Sequence, residues 1–416
     1  MQYIVKAPNR IKAEINLPAS KSISNRVLVI HSLSGGNSTL HNLSDCDDTQ
    51  VMINALRDMP EVIDIKAAGT AMRFMSAYLS VTEGEHVITG TERMKHRPIG
   101  VLVDALRRLG ADIEYVGEQG YPPLRIRGKQ LEGGTLEVPG NISSQYISAL
   151  LMIGPALRNG LELRLTGDII SRPYIDLTLH VMHEFGCKIE WSSVDTISVK
   201  PQRYDDREYV VENDWSASSY WYEMLALSED KENGIILPGL RDASRQGDSV
   251  VRYLYSLLGV KTAFKNGDHG QDTKVALTRH FSALTRMDYD FINQPDLAQT
   301  FVVTCCALGI PFHFTGLASL KIKETDRIEA LKTEMRKLGY VLRDVNDCEL
   351  EWDGERCEAE DNPSIDTYED HRMAMSFAPL AITLGCIRIN NPEVVSKSYP
   401  NYWDDLRKAG FEITEE

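Results

Sequence analysis

Residues 101–116 read VLVDALRRLGADIEYV, and the stretch divides at Gly110. Before the glycine, apolar residues recur at helical spacing; after it they alternate as in a strand. The same helix, glycine and strand return at 177–191 (LTLHVMHEFGCKIEW), 249–264 (SVVRYLYSLLGVKTAF), 330–345 (ALKTEMRKLGYVLRDV) and 402–414 (YWDDLRKAGFEIT). A degraded copy, VMINALRDMPEVIDI, occupies 51–65. Gly110, Gly186, Gly259, Gly339 and Gly410 each stand where a helix needs a left-handed residue to turn into a strand.

Between these copies lies a second, more apolar helix that also leads into a strand, as in SAYLSVTEGEHVITG (76–90) and FVVTCCALGIPFHFTG (301–316). It too occurs six times. The repeating unit therefore has two helices and several strands in roughly 70–80 residues, and its first copy is shortened. One unit buries too little surface to be stable alone, whereas three sharing a core make a domain of ordinary size. The expectation is an α/β chain of two similar domains with three units each. The internal crossing falls near Asp214, after PQRYDDREYVVENDW (201–215).

A net charge of -15 argues against general nucleic-acid or anionic-membrane binding, so any basic site must be local. Seven cysteines without C-x-x-C spacing, including the adjacent Cys305 and Cys306, suit reduced core thiols better than disulfides or zinc. MQYIVKAPNRIK has no apolar signal core and FVVTCCALGI (301–310) is far short of a membrane span, so a cytoplasmic protein is expected.

The six apolar helices begin at KSISNR (Lys21), GTAMR (Gly69), SSQY (Ser143), DWSASS (Asp214), PDLAQT (Pro295) and DHRMAM (Asp370). One such start would be ordinary capping. Related units would turn their helix starts the same way, so that unpaired N–H groups and dipole ends converge as an anion site. Lys21, Arg26, Arg73, Lys323, Arg327 and Arg372 add full charges there. A phosphorylated or carboxylated small molecule is the ligand class this implies. Neither a G-x-G-x-x-G after a strand nor a G-x-x-x-x-G-K-[ST] is present, and no H-E-x-x-H argues for a metal. In LKIKETDRIEAL (320–331), Asp326 and Glu329 read as the N-terminal cap pair of a helix carrying Ile328, Leu331, Met335 and Leu338 on one face. Lys323 and Glu324 then lie in the turn that feeds it.

Taken together, LPASKSISNR, AGTAMR, RMKHRPIG, SSQY, SRPYID, KETDR and DHRMAM resemble, in order and over nearly the whole chain, the enolpyruvylshikimate phosphate synthases (3-phosphoshikimate 1-carboxyvinyltransferases). The resemblance implies two domains of three βαβαββ units with the active site in the interdomain cleft. It places residues 1–19 with 214–416 in a C-terminal-type domain, and 20–213 in an N-terminal-type domain. It also implies transfer of the enolpyruvyl group of phosphoenolpyruvate to the 5-hydroxyl of shikimate 3-phosphate by addition and elimination, with release of phosphate. No metal or organic cofactor is implied, and the protein is expected to act as a monomer on small molecules, without nucleic acid or membrane.

The family's shikimate 3-phosphate contacts carry onto Ser22, Arg26, Ser143, Ser144, Gln145, Ser171, Tyr174, Asp296, Ser319 and Lys323. Its phosphoenolpyruvate contacts carry onto Lys21, Gly69, Arg97, Gln145, Arg327, Arg372 and Lys397, where the arginine fork suits carboxylate and phosphate oxygens. Asp296 is the implied base at the attacking hydroxyl, with Lys323 beside it. Glu324 is the implied proton carrier at the methylene carbon, with Lys21 and His371 also catalytic. The chain departs from the family at Lys66 and Ala67 (usually Gly-Asn), at Ser319 (often Asn), and at Trp215 (usually small). Two rivals remain. A sister transferase acting on a UDP-aminosugar usually carries a cysteine in the loop that here reads GTERMKHRPIG, and none of the seven cysteines lies in it. A non-catalytic sensor of phosphorylated metabolites would not require Glu324, Asp296 and Lys21.

Overall fold

The computed structural model describes residues 1–230, 232–265, 273–282 and 284–416. Backbone contacts separate the chain into two units, Met1–Pro18 with Glu212–Glu416 and Ala19–Val211. Each has its own apolar core.

Among the described residues there are five four-stranded sheets and one of two strands. All five larger sheets share one pattern. In the second unit, Gly84–Thr89 lies parallel to Val62–Asp64 and antiparallel to Leu124–Gly128, which pairs antiparallel with Asp112–Tyr115. Gly134–Pro139, Leu161–Thr166, Thr196–Val199 and Ile189–Trp191 repeat it. In the first unit the last sheet is completed by the chain's own start. Ser364–Ile365 runs parallel to Cys386–Asn390, and Gln2–Lys6 fills the next place, with Glu412–Glu415 on its far side. Lys12–Glu14 likewise supplies the parallel partner of Gly234–Pro238.

The shortened first repeat is visible as the two-stranded sheet, Leu40–His41 parallel to Tyr209–Val210. The antiparallel pair found in every other sheet is missing there, whereas both its helices, Lys21–Ser34 and Asp47–Asp58, are retained. The five repeat glycines all have positive φ, from 78° to 103°. The degraded copy keeps the same geometry without glycine, since Met59 takes φ 39° at the end of Asp47–Asp58.

The apolar helices are buried nearly all round; Gly69–Val81 and Trp215–Leu227 have only one or two residues that are not. Their small hydroxyl residues satisfy themselves by donating one turn back, as Ser76 does to the Met72 carbonyl and Thr304 to that of Thr300. Glu223 is the exception to this economy. It sits fully buried in Trp215–Leu227, and neither carboxyl oxygen has a hydrogen-bond partner of ordinary geometry among the described residues. Burial pushes its carboxyl well above the usual range, against a smaller opposing pull from the Thr304 hydroxyl. With the folded value raised, this group's contribution is fully present below the unfolded value of about 4.3 and is lost as pH rises toward the folded value. Stability should fall as pH rises through that window, and Glu223→Gln should abolish this dependence. Urea unfolding of parent and variant between about pH 5 and 8 checks this, because the curves should converge at low pH and separate at high pH; parallel curves would contradict it.

Candidate active site

In the first unit the cap predicted at Asp326 forms. Its carboxylate accepts the Ile328 and Glu329 amides, each at 3.2 Å, and starts the helix Arg327–Lys337. Ile328, Leu331 and Met335 anchor that helix in the core. Arg327, at the first helical position, is thereby turned inward and is 1% exposed. Its guanidinium reaches three carboxylates: Nε to Asp370 Oδ2 at 2.6 Å, Nη1 to Asp296 Oδ1 at 2.9 Å, and Nη2 to Glu324 Oε2 at 2.9 Å. Burial works against the charge, yet Asp370, Glu324 and Asp296 together hold the guanidinium's pKa above its ordinary value.

Asp296 gathers the remaining cations. Lys323 Nζ stands 3.5 Å from Oδ1, Arg372 Nη2 3.1 Å from Oδ2, and Arg372 Nη1 donates to the Asp296 carbonyl at 3.1 Å. Asp370 caps the helix His371–Phe377 by accepting the Arg372 amide at 2.9 Å. KETDR and DHRMAM are thus joined through Arg327 and Asp370, with PDLAQT between them. His371 is 2% exposed, its Nδ1 3.9 Å from Asp370 Oδ1. Lys397 donates to the Glu369 carbonyl at 2.7 Å, and Ser319 lies half-buried in the short helical turn Ala318–Ile322 that leads to Lys323.

In the second unit, helix starts meet through hydrogen bonds. Gln145 Nε2 donates to Thr70 Oγ1 at 3.1 Å, tying the start of Ser144–Ile153 to that of Gly69–Val81. Ser143 caps the former, whereas Ala68, ahead of Gly69, offers no capping side chain. Over that uncapped start lies Arg97, so close that a Cβ added at Gly69 would stand 2.7 Å from its Nη1. Arg97 Nε is buried without a hydrogen-bond partner among the described residues. Lys21 pairs with Asp48 at 3.1 Å. Ser22 is in the first turn of Lys21–Ser34, while Ser171, at φ 53°, precedes the helix Arg172–Glu184.

Arg26 is placed differently from a surface anion ligand. It is 3% exposed and makes four hydrogen bonds, all to neutral oxygens: Thr178 Oγ1, Ser148 Oγ, and the carbonyls of Ser22 and Tyr174. Burial lowers its pKa to about 10, with Tyr174 opposing. It joins three helices, Lys21–Ser34, Ser144–Ile153 and Arg172–Glu184, and puts a buried positive charge beneath their starts. Arg73, counted by the sequence among the anion-facing charges, is also a brace. It donates to the Gly69 and Pro98 carbonyls at 3.1 Å each and packs over the Tyr146 ring.

Sequence reasoning missed two carboxylates. Asp48 reads as an ordinary acidic residue in the first turn of Asp47–Asp58, and its position beside Lys21 shows only in three dimensions. Asp248 is buried, bonded to the Ser216 hydroxyl, and pushed up to about 6 by burial and by the charge of Asp296. Trp215, a departure from the family pattern, turns into the core, where its Nε1 donates to Glu212 at 3.0 Å. Lys66 adopts φ 53°, the left-handed geometry for which the family's glycine is suited.

A profile of the EPSP synthase (3-phosphoshikimate 1-carboxyvinyltransferase) family matches residues 5–63 and 58–406. A 3-phosphoshikimate 1-carboxyvinyltransferase of Bacteroides fragilis is 61% identical over 413 residues, 99% of both chains. One from Aliivibrio fischeri is 37% identical over 428 residues, 96% of this chain and 97% of its own. The solved EPSP synthase of Acinetobacter baumannii, at 21% identity, superposes over 100% of both chains with a TM-score of 0.78, showing the same fold. From the repeats, the paired motifs and these full-length relatives, the chain belongs to the EPSP synthase (3-phosphoshikimate 1-carboxyvinyltransferase) family.

Proposed function

We propose that the two constellations are the substrate-binding and catalytic groups of an enzyme that transfers the enolpyruvyl group of phosphoenolpyruvate to the 5-hydroxyl of shikimate 3-phosphate. The observation that carries this reading is the single ion network joining Asp296, Lys323, Glu324, Arg327, Asp370 and Arg372. It sets carboxylates able to exchange protons among cations able to hold a phosphate and a carboxylate.

Arg327, Arg372 and Lys397 take phosphoenolpyruvate together with Lys21, Gly69, Arg97 and Gln145. Arginine forks and the uncapped helix start at Gly69 suit its anionic groups. Ser22, Ser143, Ser144, Gln145, Ser171 and Tyr174 take shikimate 3-phosphate, with the charge of Arg26 beneath the helix starts. Asp296, Lys323 and Ser319 complete that substrate's set near the attacking hydroxyl.

Glu324 protonates the methylene carbon, which makes the adjacent carbon electrophilic. The 5-hydroxyl adds there and loses its proton to Asp296. A methyl proton then returns to Glu324 as the carbon–oxygen bond to phosphate breaks, the departing phosphate takes up the proton held by Asp296, and the double bond is restored. Glu324 is paired with Arg327, and an anion that draws Arg327 toward itself releases the carboxyl for proton transfer. Lys21 and His371 support the developing charges. Proton transfer and electrostatics supply this chemistry, with neither metal nor organic cofactor. We further propose that the protein works as a cytoplasmic monomer; among the described residues no helix is long and apolar enough to cross a membrane.

The reading is tested by phosphate release from purified protein. Release should require phosphoenolpyruvate and shikimate 3-phosphate together, and a UDP-aminosugar should not replace the latter. Binding of shikimate 3-phosphate without phosphate release would favour the sensor instead. Gly69→Ala checks the phosphoenolpyruvate assignment, since its methyl must displace Arg97. The KM for phosphoenolpyruvate should rise by about tenfold, the scale of losing about 1.4 kcal/mol of anion binding, with the KM for shikimate 3-phosphate nearly constant.

A further inference from the structure

Two consecutive residues immediately before the DHRMAM helix, Tyr368 and Glu369, have φ of 53° and 56°. With the Asp370 amide donating to the Thr367 carbonyl at 2.8 Å, they form a tight turn of left-handed residues, a conformation that favours glycine, asparagine and aspartate. Neither residue is one of these, so the surroundings must hold the turn.

They do so chiefly through Glu334. It lies about two turns beyond Arg327 on the same helix and is fully buried. One of its oxygens accepts the Tyr368 hydroxyl at 2.5 Å, and the other accepts the Asp366 amide at 3.1 Å and pairs with Lys337 at 2.8 Å. On the far side, Lys397 donates to the Glu369 carbonyl. One helix therefore carries both Arg327, bound to Asp370, and Glu334, bound to the turn that delivers Asp370 and Arg372.

We propose that Glu334 and Tyr368 are positioning residues for phosphoenolpyruvate binding: their hydrogen bond holds the strained turn that sets Asp370, Arg372 and the Lys397 anchor in place. This rests on the assignment of Arg372 and Lys397 to that substrate.

The test compares Tyr368→Phe, Glu334→Leu and the double variant in steady-state kinetics and thermal unfolding, with Arg372→Lys as the reference. Each single variant should raise the KM for phosphoenolpyruvate about tenfold, equivalent to about 1.4 kcal/mol, leaving the KM for shikimate 3-phosphate within about twofold. The double variant should be no worse than Glu334→Leu, because both substitutions remove the same hydrogen bond. A lowered melting temperature with an unchanged KM for phosphoenolpyruvate would reduce the pair to a purely structural role and overturn the proposal. If Arg372→Lys raises that KM and Tyr368→Phe does not, positioning fails while the site assignment stands. If Arg372→Lys has no effect, the assignment fails and the proposal falls with it.

Discussion

Glu324→Gln should lower turnover by about 100-fold or more while shikimate 3-phosphate binding changes by no more than a few-fold, the scale of losing a positioned acid–base group. The substitution keeps size and hydrogen-bonding capacity but cannot carry a proton. Its neighbourhood supports a large and selective loss. Glu324 is half-buried in the turn before Arg327–Lys337, and its carboxylate bonds Arg327 at 2.9 Å. An amide oxygen can accept that same bond, so the helix start should persist. Single-turnover phosphate release, with binding followed separately by calorimetry, measures both quantities. Near-parental release by the variant would remove Glu324 from the reaction and leave Lys21 or Asp296 to move the proton.

Arg327→Met has the second large effect, on stability as well as activity. Removing the guanidinium leaves Asp370, which is fully buried, together with Asp296 and Glu324, without their shared cation. Breaking a buried pair from one side costs about 3–5 kcal/mol, because the remaining charge stays desolvated. Lys323 and Arg372 still flank Asp296, so the deficit should centre on Asp370, the cap of the DHRMAM helix. The urea midpoint should fall accordingly, and phosphate release should be lost under conditions where the variant remains folded. A variant within about 1 kcal/mol of the parent would show that the network contributes little to the fold. Arg327→Lys should recover only part of either loss, since an ammonium cannot present a planar fork to three carboxylates.

The repeat was legible because it is written in local signals. Helical spacing, a left-handed stop and strand alternation recur within sixteen-residue windows such as 101–116, and the structure returns them as Gly100–Arg108, Gly110 at φ 103° and Asp112–Tyr115. The shortened first repeat was legible as a missing length of chain, and appears as a sheet of two strands. Charges at helix starts were legible as charges, but not as roles. Spacing puts Arg26 and Arg73 near the starts, and only packing decides that their long side chains turn inward to bind carbonyls instead of outward to an anion. Asp248 and Glu334 escaped because their partners are distant in sequence: Ser216 for one, Tyr368 for the other. The strained turn escaped for another reason, since Tyr368 and Glu369 carry none of the residue types that mark left-handed backbone.

In the proposed mechanism a proton adds to the methylene carbon of phosphoenolpyruvate and is later withdrawn from the resulting methyl group. Running the reaction in deuterium oxide with both substrates and following the product by proton NMR tests it directly. Rotation of the intermediate methyl group mixes its hydrogens, so the enolpyruvyl ether should carry deuterium in the methylene and form in step with inorganic phosphate. An ether that forms with phosphate but keeps both methylene hydrogens as protium would contradict protonation at carbon, and with it the role assigned to Glu324.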